Sequence, residues 1–174
     1  MRAFKVIDHA LQGDKTTAST RFVSIGGLKS LFTAFMKKGS LKYKKAYKDF
    51  SQDEEDEHVA SIIFSLFVNL QDNEELLNRL VFKFIEEDLE KLHRLLLLHI
   101  TLFQKIANLK IDDYLDRLDA GLFTLQLVDA ILLFISRSNE LVSSRIPQLF
   151  EQLEEDFSIV RNVVQGNQAL LVEY

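Results

Sequence analysis

Two Glu-x-x-His spacings, Glu55 to His58 and Glu90 to His93, are the nearest this 174-residue chain comes to a metal-binding pattern. In helical bundles a pair of such spacings is half of a di-metal carboxylate centre, because residues three apart share one helix face and can project together into a core. Here the geometry counts against it. His93 lies about 100 degrees from Leu92, beside Glu90 on the polar side of its helix, and His58 follows a run of acids in which a Glu three residues earlier is unsurprising. Cysteine is absent, which excludes disulfides, thiolate zinc sites, iron-sulfur clusters and a thiol nucleophile. The sequence also contains no Walker loop, no G-x-S-x-G, no HExxH and no Gly-rich dinucleotide turn. The expectation is a protein without a cofactor, a metal or enzymatic activity.

Charge is the remaining source of chemistry, and it is unevenly placed. Residues 1–50 carry eleven Lys or Arg against three acids, a balance of +8, while residues 51–174 carry ten against twenty-three, a balance of −13. The basic third contains a Lys-rich loop over 37–48, with Lys37, Lys38, Lys42, Lys44, Lys45 and Lys48 and the interleaved Tyr43 and Tyr47. Lysines with aromatics suit phosphate contacts and base stacking, but the loop lacks Arg and an acidic run follows at once. A solvated loop or a localisation signal is the reading preferred over direct nucleic-acid contact. The acids cluster at Asp53, Glu54, Glu55, Asp56 and Glu57, at Asp112, Asp113 and Asp116, and around Glu86 and Glu154. These are candidate partner-binding faces, although carboxylates at helix starts also have an ordinary role in stabilising the helix dipole.

The elements that must position these groups are all helical. Proline occurs only at Pro147, and no stretch alternates apolar and polar residues long enough for a strand. The periodicity predicts helices near 2–11, 17–24, 27–37, 54–70, 73–86, 88–108, 112–137, 139–155 and 158–171. The helix carrying Leu92, Leu95, Leu96, His99, Phe103 and Ile106 has one apolar face, and His99 on it reads as a core histidine. The helix from 112 has two opposed apolar stripes, so it must lie between layers. Asp129 falls inside one stripe, where its carboxylate needs a partner such as a helix end or an Arg. The longest apolar stretch, 121–135, is short of the ~20 residues a membrane span needs. The start of the chain reads directly into an amphipathic pattern without a secretory leader, and a cytosolic or nuclear location fits.

A short helix, the Gly26-Gly27 joint, a medium helix, a charged loop and a long helix reproduce the helix triplet of an armadillo repeat. The predicted fold class is therefore all-α, an armadillo/HEAT-like α-solenoid. Residues 1–70 form a repeat segment with the Lys-rich loop, and 71–174 a C-terminal helical segment packed on it. Particular stretches sharpen this: KVIDHALQG (5–13), FVSIGGLKSLFTAFMKK (22–38), DEHVASIIFSLFVNL (56–70), LVFKFIEEDLEKLHRLLLLH (80–99), RLDAGLF (117–123) and SIVRNVV (158–164). Through them the chain resembles the C-terminal part of the beta-catenin-like family, armadillo-type proteins associated with the spliceosome. It departs from that family in a shorter joint, Leu109 to Ile111, before DRLDAGLF.

The resemblance implies a non-catalytic nuclear scaffold for pre-mRNA splicing that binds basic, localisation-signal-like segments of splicing factors, with the cell-division-cycle five-like protein of the NineTeen complex as first partner. An adaptor outside splicing and a di-metal helical enzyme are the alternatives. Armadillo proteins that hold basic peptides pair an Asn on the third helix with a Trp one turn earlier, whose face stacks on Lys stems. Asn69 matches the Asn, but Ser65 stands in the Trp position and the chain contains no Trp. Asn69 is accordingly a candidate ligand or a helix C-terminal cap. If a preceding array is missing, the first helix would expose Phe4, Val6 and Ile7, which predicts self-association.

Overall fold

Gly27 begins a helix where almost any other residue would collide with its neighbour. A Cβ at this position would lie 2.7 Å from both the ring and the carbonyl oxygen of Phe22. In the computed structural model, which describes residues 2–13, 15–38, 51–109 and 114–165, this close approach makes the corner between α2 (Thr16–Ser24) and α3 (Gly27–Phe35). Before them comes α1 (Arg2–Leu11), and after them the long α4 (Gln52–Asn69). Helices α1, α2 and α3 all pack on α4. From Val59 onward α4 is buried nearly all round, with Ile62, Ile63, Leu66 and Phe67 at the centre of the core.

This group, together with most of α5 (Glu74–Ile85), forms one compact unit, Met1–Lys83; the other is Phe84–Tyr174. The boundary thus falls within α5, past the joint at 70/71 expected from sequence. The second unit opens with a tight turn, Glu87–Leu89, in which three successive residues have left-handed φ of 55°, 53° and 63°. The expected helix 88–108 therefore starts only at Glu90 and runs as α6 (Glu90–Ala107). Lys91, 5% exposed, spans this turn with its ammonium 2.8 Å from Glu87 and 3.1 Å from Glu86. Burial alone would pull its pKa down, but the two carboxylates outweigh that and hold it above the usual lysine value.

The expected helix 112–137 is two helices, α7 (Tyr114–Asp119) and α8 (Leu122–Ser138). Gly121, with φ of +105°, breaks them apart, and its missing side chain leaves room for Leu102, whose Cδ2 would be 2.9 Å from a Cβ. Helix α8 is buried from Thr124 to Ile135 and packs against α6, α7, α9 (Glu140–Gln152) and α10 (Ser158–Gln165). The doubly apolar pattern thus marks the central helix of this unit. Asn139 caps α9, accepting from the N–H groups of Leu141 and Val142, and α9 continues through Pro147 to Gln152. Every described element is a helix or a helical turn, as the periodicity requires.

Candidate interaction surface

The acid run lies at the head of α4, where Ser51 caps the helix and accepts from the Glu54 N–H at 3.4 Å. Part of its work is local, since Asp53, Glu54 and Glu55 fill the first turn and favour the dipole. The side chains then diverge. Glu55 is buried, 6% exposed, and accepts from Gln52 Nε2 at 3.3 Å, so it does not face a partner. Glu54 pairs with the Lys5 ammonium from α1, and Asp56 with the Lys37 ammonium at 3.0 Å. Asp53 is exposed and Glu57 half-buried. Glu54 and Asp56 thus already hold lysines of the same chain.

Lys37 closes α3. It adopts left-handed φ of 55°, its N–H donates to Ala34 O, and the Lys38 N–H donates to Thr33 O. This is the Schellman arrangement, with Lys where Gly is the usual choice. Lys38 is exposed. Lys42, Lys44, Lys45 and Lys48 lie outside the described residues, as do Asp112 and Asp113. Asp116 is half-buried in α7, far along the chain from the α4 acids and in the other unit.

Asn69 ends α4, 7% exposed, with its amide committed inside the unit. Its Nδ2 donates to Leu11 O at 3.0 Å and Ser19 Oγ at 3.1 Å, while its Oδ1 accepts from the Lys15 N–H at 3.3 Å. The residue ties the α1–α2 joint to the end of α4. The correction to its expected role has a simple cause: both amide hydrogens already have partners in the chain, so no free donor is left for a peptide backbone.

Between α1 and α4 lies a concavity of about 620 Å³ lined by Lys5, Val6, Asp8, His9, Gln12 and His58. Behind it Asp8, 5% exposed, accepts from Ser61 Oγ at 2.6 Å and Gln12 Nε2 at 3.2 Å and sits 2.7 Å from His58 Nδ1. Sequence reasoning missed this cluster, although a signal existed. Asp8 falls between Phe4, Ile7 and Leu11 on the helical face that turns inward. Of the three apolar residues expected at the surface of α1, Val6 is 69% exposed and Phe4 and Ile7 are half-buried. His58 is held by Asp8 and not by Glu55, so its Glu-x-x-His spacing does not make a ligand pair. His93 is exposed on α6, and no three His, Asp or Glu side chains converge to hold a metal among the described residues.

The arrangement of two adjoining helices with a concave seam and surface carboxylates suits the capture of a polypeptide. Residues 1–165 match the family described as catenin-beta-like, Arm-motif containing nuclear proteins. The chain belongs to this family. Beta-catenin-like protein 1 of Bos taurus and of Homo sapiens are each 34% identical to it over 187 residues, covering 94% of this chain and 32% of the relative. The Schizosaccharomyces pombe homolog of that protein is 31% identical over 164 residues, covering 85% of this chain and 27% of the relative. The chain thus spans about a third of the length of the curated relatives it matches. Membership in the catenin-beta-like family establishes the all-α, armadillo-type fold expected from the helix triplet and supports a helical-repeat role in protein interaction.

Proposed function

We propose that this chain is part of a non-catalytic scaffold of the nuclear pre-mRNA splicing machinery that binds basic, localisation-signal-like segments of splicing factors. Among such partners the cell-division-cycle five-like protein of the NineTeen complex is the first to test. The nuclear reading is supported by the description of the family. The recognition chemistry rests on one observation, the pair of lysine–carboxylate contacts at the head of α4. Glu54 and Asp56 take ammonium groups from Lys5 and Lys37, two different elements of the chain, which is the chemistry a basic partner segment would offer. Partner lysines would exchange with the internal ones, with Val6 and the α1–α4 concavity available to the aliphatic stems. The missing Trp ladder is thereby replaced by carboxylates.

The test is titration of a fluorescein-labelled Lys/Arg-rich splicing-factor peptide into the chain at about 50 and 300 mM salt. Surface ion pairing is screened over that range. Binding should weaken with salt and weaken further in the Glu54→Gln/Asp56→Asn variant. Replacing Lys37 by Ala should strengthen it, since an internal competitor is removed. Affinity indifferent to salt and to both carboxylates would sink this reading.

A further inference from the structure

A second concavity lies wholly within the other unit, and the function proposed above makes no use of it. Its volume is about 320 Å³, and it is lined by Phe103 and Ile106 of α6, Leu122 and Leu125 of α8, Val163 of α10 and Arg117 of α7. The size falls in the range of cavities that take ligands. Arg117 is the one charged residue on the lining, and it is exposed. A guanidinium at the mouth of an apolar cleft is a selective element. It can grip a carboxylate through two parallel hydrogen bonds, and the grip strengthens when an apolar occupant expels water from beside it.

Tyr114, outside the cleft lining, lies one turn before Arg117 on the same side of α7 and is 58% exposed. An occupant that fills the cleft and also reaches this ring is longer than one side chain, which fits an extended chain better than a compact small molecule. We propose that this cleft docks a partner peptide in which a bulky apolar side chain, seated against Phe103 and Leu122, stands next to a carboxylate held by Arg117. This partner is opposite in charge to the basic segments assigned to the head of α4, so the two readings succeed or fail separately.

The experiment is selection of a random phage-displayed peptide library on the full chain, followed by fluorescence anisotropy with the enriched peptides. Enrichment of Leu, Phe or Met within a few residues of Asp or Glu is the expected result. Affinity should fall at least tenfold on the Arg117→Glu protein and fall less on Arg117→Lys. Ala107→Trp places a ring in the cleft from the exposed end of α6 and should also cost at least tenfold, with circular dichroism verifying that each variant is folded. Absence of any enriched peptide that pairs an apolar side chain with an acid, or equal binding of such peptides to folded Arg117→Glu, would each overturn the proposal; basic peptides that lose binding on Glu54→Gln/Asp56→Asn belong to the head of α4 and are set aside before this comparison. Binding seen only after deletion of residues 166–174 would assign the cleft to the chain's own terminal segment, and the partner reading would fall.

Discussion

Asp129 of α8 places Oδ1 2.5 Å from Nδ1 of His99 on α6, and its Oδ2 is buried with no hydrogen-bond partner. The first unit also buries an aspartate against a histidine, but there Asp8 gathers His58, Ser61 and Gln12. The difference shows in the electrostatics. Burial pushes the Asp129 carboxyl up from 3.8 to about 6, with the His99 hydrogen bond and charge pulling part of the way back. A carboxyl whose pKa rises on folding contributes stability that is full below its unfolded value and lost as pH climbs through the folded one. The lost amount is on the order of 3 kcal/mol between pH 4 and 7. Asp129→Asn stays neutral and can still accept from His99, so the variant should gain on the parent as pH rises over that interval. Urea unfolding at pH 4.5 and 7.5 measures the difference, and parallel curves at the two pH values would contradict the assignment.

Gly121→Ala should destabilise the second unit by about 1–3 kcal/mol, from the left-handed backbone and from contact with Leu102. Since the contact is with the flexible end of a side chain, Gly121→Ala and Leu102→Ala together should cost less than their sum. A double-mutant cycle by thermal unfolding reads this coupling, and strict additivity would rule out the contact.

Asn69→Ala removes three hydrogen bonds that join the α1–α2 joint to α4 and should cost about 2–3 kcal/mol. Affinity of the folded protein for a basic peptide should be unchanged. A large affinity loss with normal stability would reinstate Asn69 as a ligand.

Glu154 ends α9 in a left-handed conformation, φ 59°, while the next N–H, of Glu155, donates back to Phe150 O. Glycine adopts this geometry without the Cβ penalty, so Glu154→Gly should stabilise by about 0.5–1 kcal/mol. A melting temperature lower than the parent's would show that the side chain contributes something the backbone argument omits.

The helices were legible in the sequence because burial of an apolar stripe forces a period near 3.6, and the stripes of α6 and α8 are long. The RLDAGLF stretch was legible as a marker but not as a break. A wheel drawn through Leu118 and Leu122 assumes one continuous helix, and only the positive φ at Gly121 shows that there are two. The candidate site was read less well for a related reason. Acids at 53–57 were visible as a charge run, yet which of them point outward depends on what packs against α4. Glu55 turns into the unit while Glu54 and Asp56 meet lysines from α1 and from the end of α3.

Composition and periodicity by themselves determined an all-helical chain without thiol chemistry, with a central doubly apolar helix and with histidine 99 in a core. Those properties follow from residue types and their spacing along one helix, and they hold whatever the neighbours are. Tertiary structure decided which polar groups met. Asp129 found His99 thirty residues earlier, where a helix end or an Arg was expected, and Asn69 spent its amide on Leu11, Lys15 and Ser19. A hydrogen bond between side chains of different helices depends on how the helices pack, and that packing is set by the whole core and not by the residues that form the bond.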